Sequence, residues 1–234
     1  GMIKATYGTG AFLVLNTGEQ AVISDKGLLT TPAYRLDGRT TYALEGSIFN
    51  AGSAVQWMRD RLKLIRSAAE TEALASSLHD NRGVYLVPAF TGLGAPHWRP
   101  DARAVLSGLT LDSGPAEIAR AVLESVAYQT RDLVEEMRGA VPGSGVLRAD
   151  GGMTANGFLM QFLADMLDTP VEVPEVAETT ALGAAFLAGL QVGMFDDLQQ
   201  LSRLWRRGAA YHRIMTGEAR ARAYGGWRAA LSRL

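Results

Sequence analysis

The 234-residue chain has no cysteine, which excludes a disulfide framework, a thiolate zinc site and a cysteine nucleophile. It has only 3 histidines, His79, His97 and His212, too scattered to match a metal-ligand spacing. Charge of one sign is also missing: 23 basic against 24 acidic residues leave a net charge of -1, so nothing pulls the whole chain toward nucleic acid or an anionic membrane. Eight Arg against one Glu fall in residues 201–234, but without interleaved aromatics they read as a solvated helical face. No apolar run approaches the roughly 18–20 residues of a membrane span, and the N-terminus has no signal-peptide pattern. The P-loop, nucleophile-elbow and HExxH patterns are absent. The dinucleotide fingerprint fails too, because Gly8-Thr9-Gly10 leads into neither a third glycine nor a helix. The expectation is a soluble, cytoplasmic protein with no nucleic-acid or membrane partner and no metal site of its own.

What the chain has in excess is glycine, 26 of 234 residues, about 11% against a usual 7%. Gly18 and Gly38 read as turns, and Gly143 and Gly145 as a loop. Others cluster at Gly8-Thr9-Gly10, Gly92-Leu93-Gly94 and Asp150-Gly151-Gly152. Strands are expected at 3–8, 11–16, 20–24, 40–44, 84–88, 104–106, 146–149 and 170–173. Helices are expected from Ser47 to about residue 62, then at 67–78, 115–138, 156–167, 180–192, 196–206 and 217–233. Ser113 is the expected N-cap of the long helix and Pro115 its first-turn proline. Gly183, Ala184, Ala188 and Gly189 suggest close packing of helix 180–192. Strands come first as a meander and then alternate with helices, which predicts a mixed sheet with helices on its faces, a single α/β domain.

Two of the glycine clusters suit phosphate. A Gly-Thr-Gly turn between strands can present backbone N–H groups to an anion, and Thr9 adds a hydroxyl. A glycine turn between a strand and a helix N-terminus places free N–H groups and the helix dipole at Gly151-Gly152. Asn156 follows Gly152 by four residues, as Gln56 follows Gly52. These two pairs read as two walls of one nucleotide slot.

Several runs carry a resemblance. They are Tyr7-Gly8-Thr9-Gly10-Ala11-Phe12, Tyr42–Gly46, Ala51–Trp57, Val87–Pro96, Leu123–Gln129 and Asp150–Asn156. Through them nearly the whole chain resembles the C-terminal part of the glycerol kinases of the FGGY carbohydrate kinase family. The resemblance implies an actin-like, ribonuclease H-like domain spanning residues 1–234. It places the N-terminal polyol-binding domain, with the catalytic-base Asp, outside this chain, so that the chain alone is expected to be inactive. It implies ATP and Mg²⁺ as cofactors and a small polyol as substrate. Thr9, Gly52, Gln56, Gly152 and Asn156 are the implied nucleotide-binding residues, supported by Gly8, Gly10 and Gly151. Phe12 is the implied polyol contact. A stand-alone nucleotide-binding or regulatory module, or a kinase of another small polyol or sugar, remains an alternative. His97, Arg99 and Ala104 depart from the family's usual Tyr, Asp and Gly. The bared inter-domain face is expected to be apolar near Phe12 and Gly92–Pro96 and to permit a homo-oligomer.

Overall fold

The computed structural model describes residues 1–25, 27–141 and 145–234. Gly143 therefore lies outside the described residues. The chain begins with two antiparallel strands, β1 (Ile3–Tyr7) and β2 (Ala11–Gly18), joined by the Gly8-Thr9-Gly10 turn. Alternation in β2 is regular: Ala11, Leu13, Leu15 and Thr17 face the core, and Phe12, Val14 and Asn16 face outward. β3 (Leu29–Leu36) and β4 (Arg39–Ile48) form a hairpin around Gly38, and β4 pairs with β2.

Two expectations fail in this region. Residues 20–24 form no strand. Thr30 donates its hydroxyl to the Val22 carbonyl, so this segment hangs on β3 by a side chain rather than a ladder. The helical spacing counted from Ser47 also begins too early. Ile48 is the last core-facing residue of β4, and α1 runs from Gly52 to Asp60. Position 48 fits both periods, and cross-strand pairing with Ala11 decides between them.

α2 (Glu70–Ser76) and the two-stranded pair β5 (Tyr85–Val87) and β6 (Val105–Ser107) follow. α3 (Pro115–Met137) is the 23-residue spine of the core. Its N-cap is Gly114, not Ser113, whose hydroxyl accepts from the Thr110 N–H instead. Glu117 closes the first turn by accepting the Gly114 N–H at 2.9 Å. Two polar groups are satisfied inside the core. Tyr7 and Thr130 share a buried hydroxyl–hydroxyl bond of 3.0 Å, and Arg120, Tyr128 and Asn81 all donate to Glu124.

β7 (Leu147–Asp150) lies parallel to β1, and α4 (Gly157–Leu167) packs on α3. β8 (Val171–Pro174), α5 (Thr179–Gln191), α6 (Leu198–Leu204), β9 (Arg207–Tyr211) and α7 (Gly217–Leu231) complete the chain. The seven-stranded sheet has the order β3-β4-β2-β1-β7-β8-β9. β9 was not expected. Its Arg-Gly-Ala-Ala-Tyr sequence has little strand character, and β8 supplies the pairing. The small residues of α5 do not pack closely against a neighbour, since only Gly189 is buried, under Phe195. The loop at Gly92–Ala95 is buried rather than exposed, while Phe12, Phe49 and Trp98 are exposed.

Candidate functional site

A cleft of about 460 Å³ opens at the ends of β1 and β7, on the sheet face that carries α1 to α4. Gly8, Thr9, Gly52, Gln56, Gly152 and Asn156 all line it. All five expected nucleotide-binding residues are therefore brought together, although up to 147 positions separate them in the chain (156 − 9).

The first wall is the Gly8-Thr9-Gly10 turn, seated on the start of α1. The Thr9 carbonyl accepts the N–H groups of Ala51 and Ser53 at 3.0 and 2.9 Å, and the Gly8 carbonyl accepts that of Gly52 at 3.0 Å. Turn carbonyls thus cap the helix, so its first amides are already used. The Thr9 N–H and hydroxyl have no partner among the described residues and remain available to an anion. Gly10 supports this wall from behind: a Cβ there would stand 2.5 Å from the Ile48 carbonyl oxygen.

The second wall is Asp150-Gly151-Gly152. Gly151 has φ +90, and a Cβ on it would lie 2.4 Å from the Tyr7 carbonyl oxygen. Only glycine meets both demands. The glycine turn opens a single 3-10 turn, Gly152–Ala155, not α4 itself. Asn156, expected as the first residue of this helix, is its N-cap and accepts the Leu159 N–H at 2.9 Å. Its Nδ2 donates to the buried Thr71 hydroxyl at 3.1 Å, which ties α4 to α2.

Several lining residues escaped the sequence reading. Val55, Leu123 and Met153 give the cleft an apolar lining, and Ala68, Ala69, Thr71 and Glu72 form the α2 side. Arg59 follows Gln56 by three residues on α1, a spacing that could have revealed it. Its guanidinium grips Asp60 through two bonds of 2.7 and 2.8 Å. That pairing holds Asp60 below the usual carboxylate range and raises Arg59.

Phe12 is not in this cleft. It stands on the opposite face of the sheet, 54% exposed. The departing residue His97 is 3.1 Å from Asp132, the carboxylate that also receives Tyr224 and Trp227 of α7. Arg99 donates to the Leu234 carbonyl at 3.1 Å. His97 thus contacts α3, and Arg99 the C-terminal residue. Among the described residues there is no group of three or more His, Asp or Glu able to cage a metal ion. None of their helices is long and apolar enough to cross a membrane.

Residues 3–192 match the C-terminal domain of the FGGY family of carbohydrate kinases. The chain is 58% identical over 235 residues to a glycerol kinase of Rhodospirillum centenum, and 55% identical over 234 residues to glycerol kinase 1 of Pseudomonas aeruginosa. Each match covers all of this chain and 47% of the relative, so the chain spans about half the length of these proteins. Among solved structures, Plasmodium falciparum glycerol kinase with ADP superposes with a TM-score of 0.90 at 42% identity. That match covers 99% of this chain and 46% of the other. A xylulose kinase from Lactobacillus acidophilus, at 22% identity and a TM-score of 0.84, shares the fold. The expected actin-like, ribonuclease H-like α/β class holds.

Proposed function

The chain belongs to the FGGY family of carbohydrate kinases, and on that premise we propose that it supplies the nucleotide-binding half of a glycerol kinase. The whole enzyme transfers the γ-phosphoryl group of ATP to a terminal hydroxyl of glycerol, giving ADP and glycerol 3-phosphate. The observation that carries this reading is the convergence of Thr9, Gly52, Gln56, Gly152 and Asn156 on one cleft.

In this reading the Thr9 N–H and hydroxyl hold phosphate oxygens at one wall. The open backbone of Gly152 faces them from the other. Val55, Leu123 and Met153 offer apolar surface to the base. Gln56 and Asn156 bound its polar edge, Asn156 with the one amide hydrogen that Thr71 does not take. Phe12 meets the carbon edge of the polyol on the other side of the strand ends. The domain that carries the rest of the polyol pocket and the base completes the site there. Catalysis rests on positioning and on stabilising charge at the transferred group.

Mg²⁺ would enter on the nucleotide phosphates, where it neutralises developing charge. Among the described residues, Glu72 is the carboxylate that lines the cleft.

The test is calorimetric titration of the 234-residue chain with ADP, with a coupled assay for glycerol-dependent ADP release. Binding without turnover is expected. Saturation at about 100 times the dissociation constant should stabilise the chain by roughly 2.7 kcal/mol. Absence of binding at millimolar ADP would sink the nucleotide assignment. Turnover by the chain alone would sink the assignment of the base to another domain.

A further inference from the structure

Four side chains on the sheet face opposite the cleft form one row across the strands. In register, Ser47 of β4 is opposite Phe12 of β2, Phe12 is opposite Thr6 of β1, and Thr6 is opposite Asp150 of β7. The row sits at the strand ends. The next pair, Tyr7 and Ala11, turns into the core with neither residue exposed, so Thr6 and Phe12 are the last outward pair before the Gly8-Thr9-Gly10 turn. Thr9 follows Thr6 by three residues, and Gly152 follows Asp150 by two; both line the nucleotide cleft on the other face. The row is thus joined to both turns by two or three residues of chain.

The chemistry of the row differs along its length. Phe12 is the exposed ring at its centre. Asp150 is buried, with Oδ2 held by Lys4 at 2.9 Å and by the Thr179 hydroxyl, and with Oδ1 lacking a partner. Thr6 stands between the two. It is half-buried, and its hydroxyl has no hydrogen-bond partner among the described residues. A hydroxyl is both donor and acceptor. Neighbouring strands lie about 4.8 Å apart, so an alcohol whose carbon edge rests on the Phe12 ring has an oxygen within reach of Thr6.

We propose that Thr6 is a substrate-orienting residue of this chain, its hydroxyl bonding a hydroxyl of the small polyol that takes the phosphate. This rests on the reading of the chain as the nucleotide half of a polyol kinase. It changes the division of labour, because recognition of the acceptor's hydroxyls is then shared with this chain instead of resting on the other domain.

The test uses the enzyme in which this chain is joined to its polyol-side domain. Thr6→Val keeps the size and β-branching that suit a strand and removes only the hydroxyl; Thr6→Ser restores it. The expected result for Thr6→Val is a fall in kcat/KM for the polyol of about five-fold, the worth of one neutral hydrogen bond. ADP affinity stays at the parent value, and Thr6→Ser recovers most of the loss. Unchanged kcat/KM in Thr6→Val overturns the proposal. So does a matching loss of ADP affinity, which would put the hydroxyl with the phosphates or the scaffold. A parent enzyme that binds ADP but phosphorylates no polyol overturns the functional reading itself, and this assignment with it.

Discussion

Gly52 donates its backbone N–H to the Gly8 carbonyl at 3.0 Å, and a Cβ at residue 52 would stand 2.5 Å from that same oxygen. The contact locks the turn of the first wall onto the start of α1, so Gly52→Ala must separate them. Overpacking against backbone that cannot yield costs about 1–3 kcal/mol. The expected outcome is a lower urea midpoint together with weaker ADP binding, because the displaced turn carries Thr9. A variant with parent stability and parent affinity would show that the two segments slide apart freely.

Gly152 makes the opposite case. Its φ is ordinary, and a Cβ there would meet no atom within 4 Å. Gly152→Ala should therefore keep the parent's stability to within about 0.5 kcal/mol, as a substitution away from packed features does. The space it fills is the mouth of the cleft, so ADP affinity should fall by ten-fold or more. Calorimetry on the folded variant separates the effects. Undiminished affinity would remove Gly152 from the phosphate site.

The contrast between these glycines shows what the sequence could reveal. That Thr9, Gly52, Gln56, Gly152 and Asn156 share one cleft was legible because glycine turns and amides repeat at a fixed spacing, and the runs around them resemble one family. That Gly52 is needed for a close approach and Gly152 for open space was not legible, since it depends on which carbonyl faces each Cα. The α2 wall was not legible because only tertiary packing brings α2 beside α1, whereas Arg59 sits one helical turn after Gln56 and was within reach of the spacing. β1, β2 and β7 were read from alternation and apolar runs. β9 was not, because its pairing is imposed by β8. Residues 20–24 were misread because Val22 and its neighbours are apolar enough for a strand, yet they sit beside β3 without joining its ladder.

Asp132 gathers three donors from two separate segments. It accepts from the Tyr224 hydroxyl at 2.5 Å, the Trp227 indole at 3.0 Å and His97 Nε2 at 3.1 Å. Asp132→Ala leaves the fully buried Trp227 N–H without its partner and frees α7 from α3. The loss of a charged acceptor with several donors costs about 2–4 kcal/mol. Denaturant unfolding should show the midpoint falling. Burial, and after it the Asp132 charge, raises the Tyr224 phenol above its ordinary range. Removal of the carboxylate should therefore let Tyr224 ionise at lower pH. Phenolate absorbance checks this directly, and an unmoved titration would mean that burial alone holds the phenol protonated.

Glu117 gives α3 a pH-dependent anchor. The Gly114 N–H, with the residue's own amide and then Arg82 adding to it, holds its carboxyl below the usual glutamate value. A carboxyl depressed by folding binds its proton more readily in the unfolded chain. Its stabilisation is thus present above the unfolded pKa of about 4.3 and is lost as pH falls through the folded value. Glu117→Gln retains a capping-box acceptor but removes the charge at the helix N-terminus. Arg82 is 61% exposed, so the ion pair itself adds little. The variant should be less stable than the parent by up to about 1 kcal/mol at neutral pH. The gap should close as both proteins are taken below about pH 4. Urea unfolding at the two pH values measures it. A gap of constant size would mean that Glu117 acts through its shape and hydrogen bond, and that its charge does nothing for the helix.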